Sequence, residues 1–347
     1  MKLNFRPFNL QLRHAFGISG HTRTSTPLVL TQIEHEDHTG FGEASMPPYL
    51  GESQETARQF LKKVDLARFS APQTLEDVSP IMQYLDALAP GNTAAKAAVD
   101  IALHDLLGKI KDEPCYRLFG VNPAAMPATS FTIGIDTAEM LRKKVKEAEA
   151  FRVIKVKLGS DHDKETIEVI RSETAVPLSV DANQGWKNRE EALEMIHWLS
   201  ERKVLFIEQP MPKEDTEGNA WLRENSPLPV IADEACQRLA DVEKAAGIYD
   251  GINIKLMKCT GLNEAAKMIK RARELDLKIL IGCMTETSCA VMAAAALAPL
   301  CDWADLDGPW LVANDPWRTP ALQDGSIRLE NQPGLGIITC DRDRKKS

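Results

Sequence analysis

The 347-residue sequence has no apolar run of about 18 residues, so no membrane-spanning helix is expected. Its start, "MKLNFRPFNLQLRHAFG", lacks the unbroken apolar segment of a secretory signal, and none is expected. Seven cysteines, Cys115, Cys236, Cys259, Cys283, Cys289, Cys301 and Cys340, form no CxxC pair. An odd count of core-packed, reduced thiols fits a cytoplasmic protein. No GxGxxG follows a strand-like run, which weighs against a dinucleotide-binding sheet. HExxH is absent as well, which disfavours zinc. Basic residues are outnumbered 42 to 50, for a net charge of −8, and are scattered. Nucleic acid is therefore not an expected partner.

What is present divides unevenly. Residues 1–125 read as an α+β unit. "LNFRPFNLQL", "TPLVLTQIEHED" and "TGFGEAS" suit an antiparallel meander. Between the first two, "AFGISGHTRTST" has no strand or helix period and reads as a mobile loop, closing near residues 16–26. Helical segments follow at "SQETARQFLKKV", "TLEDVSPIMQYLDAL" and "NTAAKAAVDIALHDLLGKI".

From Ala128 a repeat sets in. Strand-like runs occur at 128–133, 153–158, 177–182, 204–209, 229–234, 251–257, 278–284 and 302–307, with amphipathic helical stretches between them. Eight βα units predict a (β/α)8-type, TIM-like barrel over residues 126–320. An open doubly wound sheet is the runner-up. Residues 321–347 are expected to return to the N-terminal unit, with the charged end "DRDRKKS" frayed.

Active sites of such barrels lie at the C-terminal strand ends, and the ionisable residues gather there. Alternation puts Lys155 and Lys157 on one face of "RVIKVKLG", opposite Ile154, Val156 and Leu158. By the same rule Asp181, Glu208, Asp233, Asn253, Lys255, Asp305 and Asp307 all face inward. Unpaired, such charges would cost several kcal/mol each to bury. Structural salt bridges in a wet barrel mouth account for one such charge more easily than for the whole convergent set.

Asp181, Glu208 and Asp233, on successive strands, offer an all-oxygen ligand set, which suits Mg²⁺. Lys157 and Lys255 lie four strands apart, so they face each other across an eight-strand ring. Opposed bases are what a racemase or epimerase needs, one taking the α-proton and the other returning one to the opposite face. Burial and neighbouring cations, Lys155 among them, are expected to lower a lysine's pKa and make neutral lysine available. A cation would stabilise the enediolate left when a proton leaves carbon next to a carboxylate. Asp305 and Asp307 share a face and together make an anionic pocket.

The motifs "KVK" (155–157), "DAN" (181–183), "EQP" (208–210), "DE" (233–234) and "NIK" (253–255) resemble the enolase superfamily, in its muconate-lactonizing-enzyme subgroup. "GFGEA" and "PGLGI" agree with it. The resemblance implies a modified (β/α)7β barrel capped by the N-terminal unit, with Mg²⁺ on Asp181, Glu208 and Asp233 and acid–base work by Lys157 and Lys255. "DLDGPW" resembles the DxD signature of dipeptide epimerases, in which Asp305 and Asp307 would bind the substrate's ammonium group. Thr132, Lys155, Cys283, Met284 and Thr285 would line the dipeptide. Arg23, in the loop, would pair with an acidic second side chain, which leans the reading toward the murein-derived L-Ala-D/L-Glu. The alternatives are o-succinylbenzoate synthase, N-acylamino acid racemase, a muconate-type cycloisomerase, or a ligand-binding regulatory barrel without turnover. Barrels of this kind often self-associate, so a homo-oligomer stays open. One departure is "KCTGL" (258–262), with Thr260 where the family commonly has glycine.

Overall fold

The structure is a computed structural model describing residues 1–18, 21–46 and 48–340. The chain opens with an antiparallel sheet of β1 (Lys2–Ile18), β2 (His21–His35) and β3 (His38–Ser45), in that order. Val29, Ile33 and Ala44 turn toward helices α1 (Gln54–Leu61), α2 (Val78–Leu88) and α3 (Thr93–Ile110). Leu10 and Leu28, on the other face, pack on Val312. The helix expected from Thr74 begins only at Val78. The Asp77 carboxylate accepts from the amides of Gln73 and Thr74, both at 2.9 Å, and closes a turn instead.

The segment 15–26, expected as a loop, is mostly strand. Phe16 pairs with Arg23, Gly17 with Thr22 and Ile18 with His21, beyond a register break between Gln11 and Phe16. Ser19 and Gly20, within that expected loop, lie outside the described residues, as does the charged end 341–347. In the gap the chain bonds to the barrel. Leu12 bridges Val312, Arg13 Nε donates to the Val312 carbonyl at 2.8 Å, and His14 Nε2 lies 2.9 Å from both Glu147 oxygens. A strand that changes partner midway loses its period of two, which is why its sequence reads as irregular.

After the short α4 (Cys115–Leu118) come eight parallel strands with seven helices between them. They are β4 (Ser130–Ile133), α5 (Ala138–Glu147), β5 (Val153–Lys157), α6 (Asp163–Glu173), β6 (Leu178–Asp181), α7 (Arg189–Ser200), β7 (Val204–Glu208) and α8 (Thr216–Asn225). Then come β8 (Val230–Ala232), α9 (Leu239–Ala245), β9 (Gly251–Lys255), α10 (Leu262–Glu274), β10 (Lys278–Gly282), α11 (Ser288–Ala295) and β11 (Trp303–Asp305), followed by the one-turn α12 (Gly308–Leu311). The strands neighbour one another in chain order from β4 to β11. A bridge from Thr129 to Ala304 and a 2.8 Å bond from the Leu306 amide to the Thr129 hydroxyl nearly close the ring. Outward residues Ile154, Val156, Val180 and Ile207 meet Ile167, Ile170, Ile196 and Leu199 of the helices. Inside, Phe206, Ile231, Leu280 and Trp303 plug the floor. The charged residues stand above this plug.

The tail lies on the N-terminal unit. The Leu335 amide donates to Asp105 of α3 at 2.8 Å, and Gly334 exchanges backbone bonds with Glu113 and Cys115. No helix among the described residues is long and apolar enough to cross a membrane.

Candidate active site

Asp181 and Glu208 end β6 and β7, and Asp233 follows β8 directly. All three are buried, and one oxygen of each lies within 4.8 Å of the others. Three buried carboxylates this close repel one another unless cations intervene. An all-oxygen set of this kind fits a hard divalent cation. Burial and Asp181 push Glu208 up to about 7. Burial would raise Asp181 too, but Lys157 and Lys155 outweigh it and hold it down to about 2. Asp233 is held well below the usual carboxylate range, Lys255 and Lys258 overriding its burial.

The ammonium groups approach from opposite walls. Lys157, at the end of β5, places Nζ 2.6 Å from Asp181 Oδ2. Lys255, at the end of β9, places Nζ 2.7 Å from Asp233 Oδ2 and 4.0 Å from Glu208 Oε1. Lys155, one layer down, reaches Glu208 Oε2 at 2.7 Å, Asp305 Oδ2 at 2.8 Å and Asp181 Oδ2 at 3.1 Å. At Lys155 and Lys255 the expected lowering is not found. Burial pulls Lys155 and Lys255 down, but Asp305 and Glu208 at the first and Asp233 at the second raise them well above the ordinary value. Counting neighbouring cations along one strand missed the carboxylates that converge from the other strands.

Asp305 and Asp307 meet Thr132 across the barrel seam. Asp305 Oδ1 accepts from the Ser130 hydroxyl at 2.6 Å and from that of Thr132 at 3.4 Å. The Thr132 amide donates to Asp307 Oδ2 at 2.5 Å. Burial and the charge of Asp305 push Asp307 up to about 7. Cys283 and Met284, half-buried, and Thr285, buried, follow β10. Arg23 Nη2 donates to the Thr285 hydroxyl at 2.6 Å, so the hairpin reaches the mouth. Its strand passes close to Gly134. A Cβ there would lie 2.6 Å from the Gly17 carbonyl, which accepts from the Ile135 amide.

Several residues here carried no role in the sequence reading. Lys258 Nζ binds Asp233 Oδ1, the Asp233 carbonyl and the Asn253 carbonyl. Gln209 Oε1 accepts from the amides of Asp233 and Ala235 and holds the end of β8. The Asn253 amide donates to Glu208 at 2.8 Å. Asn183 donates to Glu234, which burial and Asp233 push up to about 7. Gln209 and Asn253 lie inside quoted motifs, so the signal was there. Lys258 sits in a turn, where alternation says nothing. The unusual Thr260 adopts φ +65°, the left-handed region that glycine enters freely.

Comparison with known proteins adds an independent line. Residues 4–120 match the model for the mandelate racemase / muconate lactonizing enzyme N-terminal domain, and residues 136–343 the enolase C-terminal domain-like model. The chain is 54% identical to a protein from Bacteroides thetaiotaomicron named L-Ala-D/L-Glu epimerase, over 97% of this chain and 88% of that one. It is 38% identical to an L-Ala-D/L-amino acid epimerase from Pedosphaera parvula, over 96% and 97%. Among solved structures, a substrate-liganded L-Ala-D/L-Glu epimerase from Bacillus subtilis superimposes with TM-score 0.88 at 25% identity, covering 98% of both chains. A dipeptide epimerase from Enterococcus faecalis, complexed with Mg and L-Leu-L-Tyr, gives 0.86 at 29%, covering 96% and 98%.

Proposed function

The chain belongs to the mandelate racemase / muconate lactonizing enzyme family of the enolase superfamily, and from that membership we propose that it is a Mg²⁺-dependent dipeptide epimerase. It inverts the α-carbon of the dipeptide's C-terminal residue by 1,1-proton transfer. The observation that carries this reading is the placement of Lys157 and Lys255 on opposite walls, each touching one carboxylate of the same buried trio.

Asp181, Glu208 and Asp233 hold Mg²⁺ in this reading. When bound, the ion supplies a Lewis acid for the substrate carboxylate and the positive charge that the trio now draws from lysines. Lys157 and Lys255, on opposite walls, would flank the α-carbon of a substrate held there. One, as the neutral amine, would take its proton, and the other, as the ammonium, would deliver a proton to the opposite face. Lys155 steadies Glu208 and Asp181 and faces the incoming carboxylate.

Asp305 and Asp307 support a dipeptide over a substrate without an ammonium group. Burial and the neighbouring Asp305 push Asp307 up, and a substrate ammonium placed beside the pair would offset that charge. Arg23 at the mouth supports an acidic second side chain, and hence L-Ala-D/L-Glu and murein-peptide metabolism in the cytoplasm. The test is incubation of L-Ala-L-Glu with the enzyme and Mg²⁺ in D₂O, followed by proton NMR. The glutamyl α-proton signal should disappear and the diastereomer should accumulate. No exchange with any member of a broad dipeptide library overturns the proposal.

A further inference from the structure

We propose that Lys258 is a positioning residue: it selects the oxygen that Asp233 presents to a divalent cation and so keeps Asp233 a one-oxygen ligand. The inference rests on the metal-dependent reading above but concerns how the cation is held rather than turnover.

Lys258 lies three residues beyond Lys255, in the turn that leaves β9, and is fully buried. A lysine ammonium has three donors and no acceptor. Here all three are spent, on Asp233 Oδ1 at 2.7 Å, the Asp233 carbonyl at 2.7 Å and the Asn253 carbonyl at 2.8 Å. One ammonium thus grips both the carboxylate and the backbone of Asp233. The other carboxylate oxygen, Oδ2, faces Lys255, whose Nζ also approaches Glu208 Oε1. Asp233 therefore has a cluster side, Oδ2, and a protein side, Oδ1. Swinging Oδ1 toward the cluster would break a charge-assisted bond and leave a buried ammonium short of its anion, a costly change. Mg²⁺ demands near-octahedral geometry, which two oxygens of one carboxylate, set close together, strain.

The seat of Lys258 is itself braced. Thr260 and Gly261 carry φ +65° and +113°, and the Gly261 amide returns to the Leu256 carbonyl at 3.0 Å. A Cβ on Gly261 would fall 2.2 Å from Asp100 of α3. Asp100 in turn accepts from the Leu262 amide at 2.5 Å. The cap helix thus presses on the turn that delivers Lys258.

The experiment uses Mn²⁺ as the probe. Crystals of the wild-type protein soaked in MnCl₂ should show the anomalous peak bonded to one Asp233 oxygen, with Lys258 Nζ still on the other. Free Mn²⁺ counted by electron paramagnetic resonance should give Lys258→Met and Lys258→Gln affinities at least tenfold weaker than wild type. The rise in Tm on adding Mn²⁺ should shrink accordingly. A residue that only stapled β8 to β9 would lower Tm equally with and without Mn²⁺ and leave the affinity unchanged. Two-oxygen ligation by Asp233 in the wild type, or affinity within twofold in a folded Lys258 variant, overturns the inference. If neither variant folds, the wild-type soak decides. Wild-type protein that takes up no Mn²⁺ at the trio overturns the metal-dependent reading and this inference with it. Mn²⁺ at the trio without proton exchange overturns only the epimerase assignment.

Discussion

Arg23 of the β1–β2 hairpin and Thr285 after β10 meet at 2.6 Å, joining cap and barrel over the mouth. The Thr285 carbonyl also accepts from the Ser45 hydroxyl at 2.8 Å, so the cap holds this residue twice. If Arg23 reads an acidic side chain, Arg23→Leu should raise KM for L-Ala-L-Glu ten- to a hundredfold. That is the worth of a charge-assisted hydrogen bond of about 1.5–3 kcal/mol. KM for a neutral dipeptide such as L-Ala-L-Leu should hardly move. Thr285→Val, which removes only the acceptor, should give a smaller shift of the same sign. Equal losses on both dipeptides would mean that the guanidinium serves closure alone.

Lys157→Ala and Lys255→Ala should each abolish epimerisation. In the proposed two-base site each variant would be left with one lysine facing one side of the α-carbon. Deuterium wash-in from the two diastereomers, followed separately, should then persist for one diastereomer at most, and for opposite ones in the two variants. Exchange from both in either variant would exclude a two-base mechanism.

Asp307→Asn and Asp305→Asn test recognition of the ammonium group. Both should raise KM for a free dipeptide, and the N-acetylated dipeptide should be a poor substrate of the wild type. Asp305→Asn should be the more damaging, because it also leaves buried Lys155 with one carboxylate fewer. Unchanged kinetics in both would favour a substrate without an ammonium group.

Glu43 should make stability depend on pH. Its buried side chain bonds to the amide and hydroxyl of Thr287, and burial, Glu286 and Asp315 push it up from 4.5 to about 8. The folded state therefore holds this proton more tightly than the unfolded chain does. The stabilisation is complete below pH about 4.5, erodes as pH rises above that, and is gone once pH passes about 8. Tm should fall between pH 6 and 9, and fall less in Glu43→Gln, which keeps the shape and stays neutral. An identical slope in the variant would place the titration elsewhere.

Thr260 carries a β-branched side chain at φ +65°. Replacing it with glycine should stabilise the protein by roughly 1 kcal/mol, the relieved strain exceeding the entropy glycine brings to the unfolded chain. Thr260→Ala, which keeps a Cβ at the same φ, should not. Thermal denaturation of the three proteins decides it.

How legible these features were in the sequence depended on whether they followed a repeat. The barrel strands announced themselves by recurrence, and inward pointing followed from alternation. That sufficed to gather Lys155, Lys157, Asp181, Glu208, Asp233 and Lys255, although β8 itself stops at Ala232. The hairpin beyond Gln11 was hidden because residues 12–14 bond to the barrel rather than to β2. Lys258 was hidden because turns have no period. The pKa values of Lys155 and Lys255 were misjudged for a third reason. Charge at one strand end is set by neighbours on other strands, whose distances no single stretch encodes.

The register break in β1 decides how the hairpin is held over the mouth. Residues 12–14 are fastened to the barrel at Val312 and Glu147, so this length of strand is anchored within the break. Beyond it, the ties described for the tip are Gly17 to Ile135 and Arg23 to Thr285. Cap and barrel therefore share one wall of the mouth: the strand that carries the hairpin there is itself pinned to the barrel.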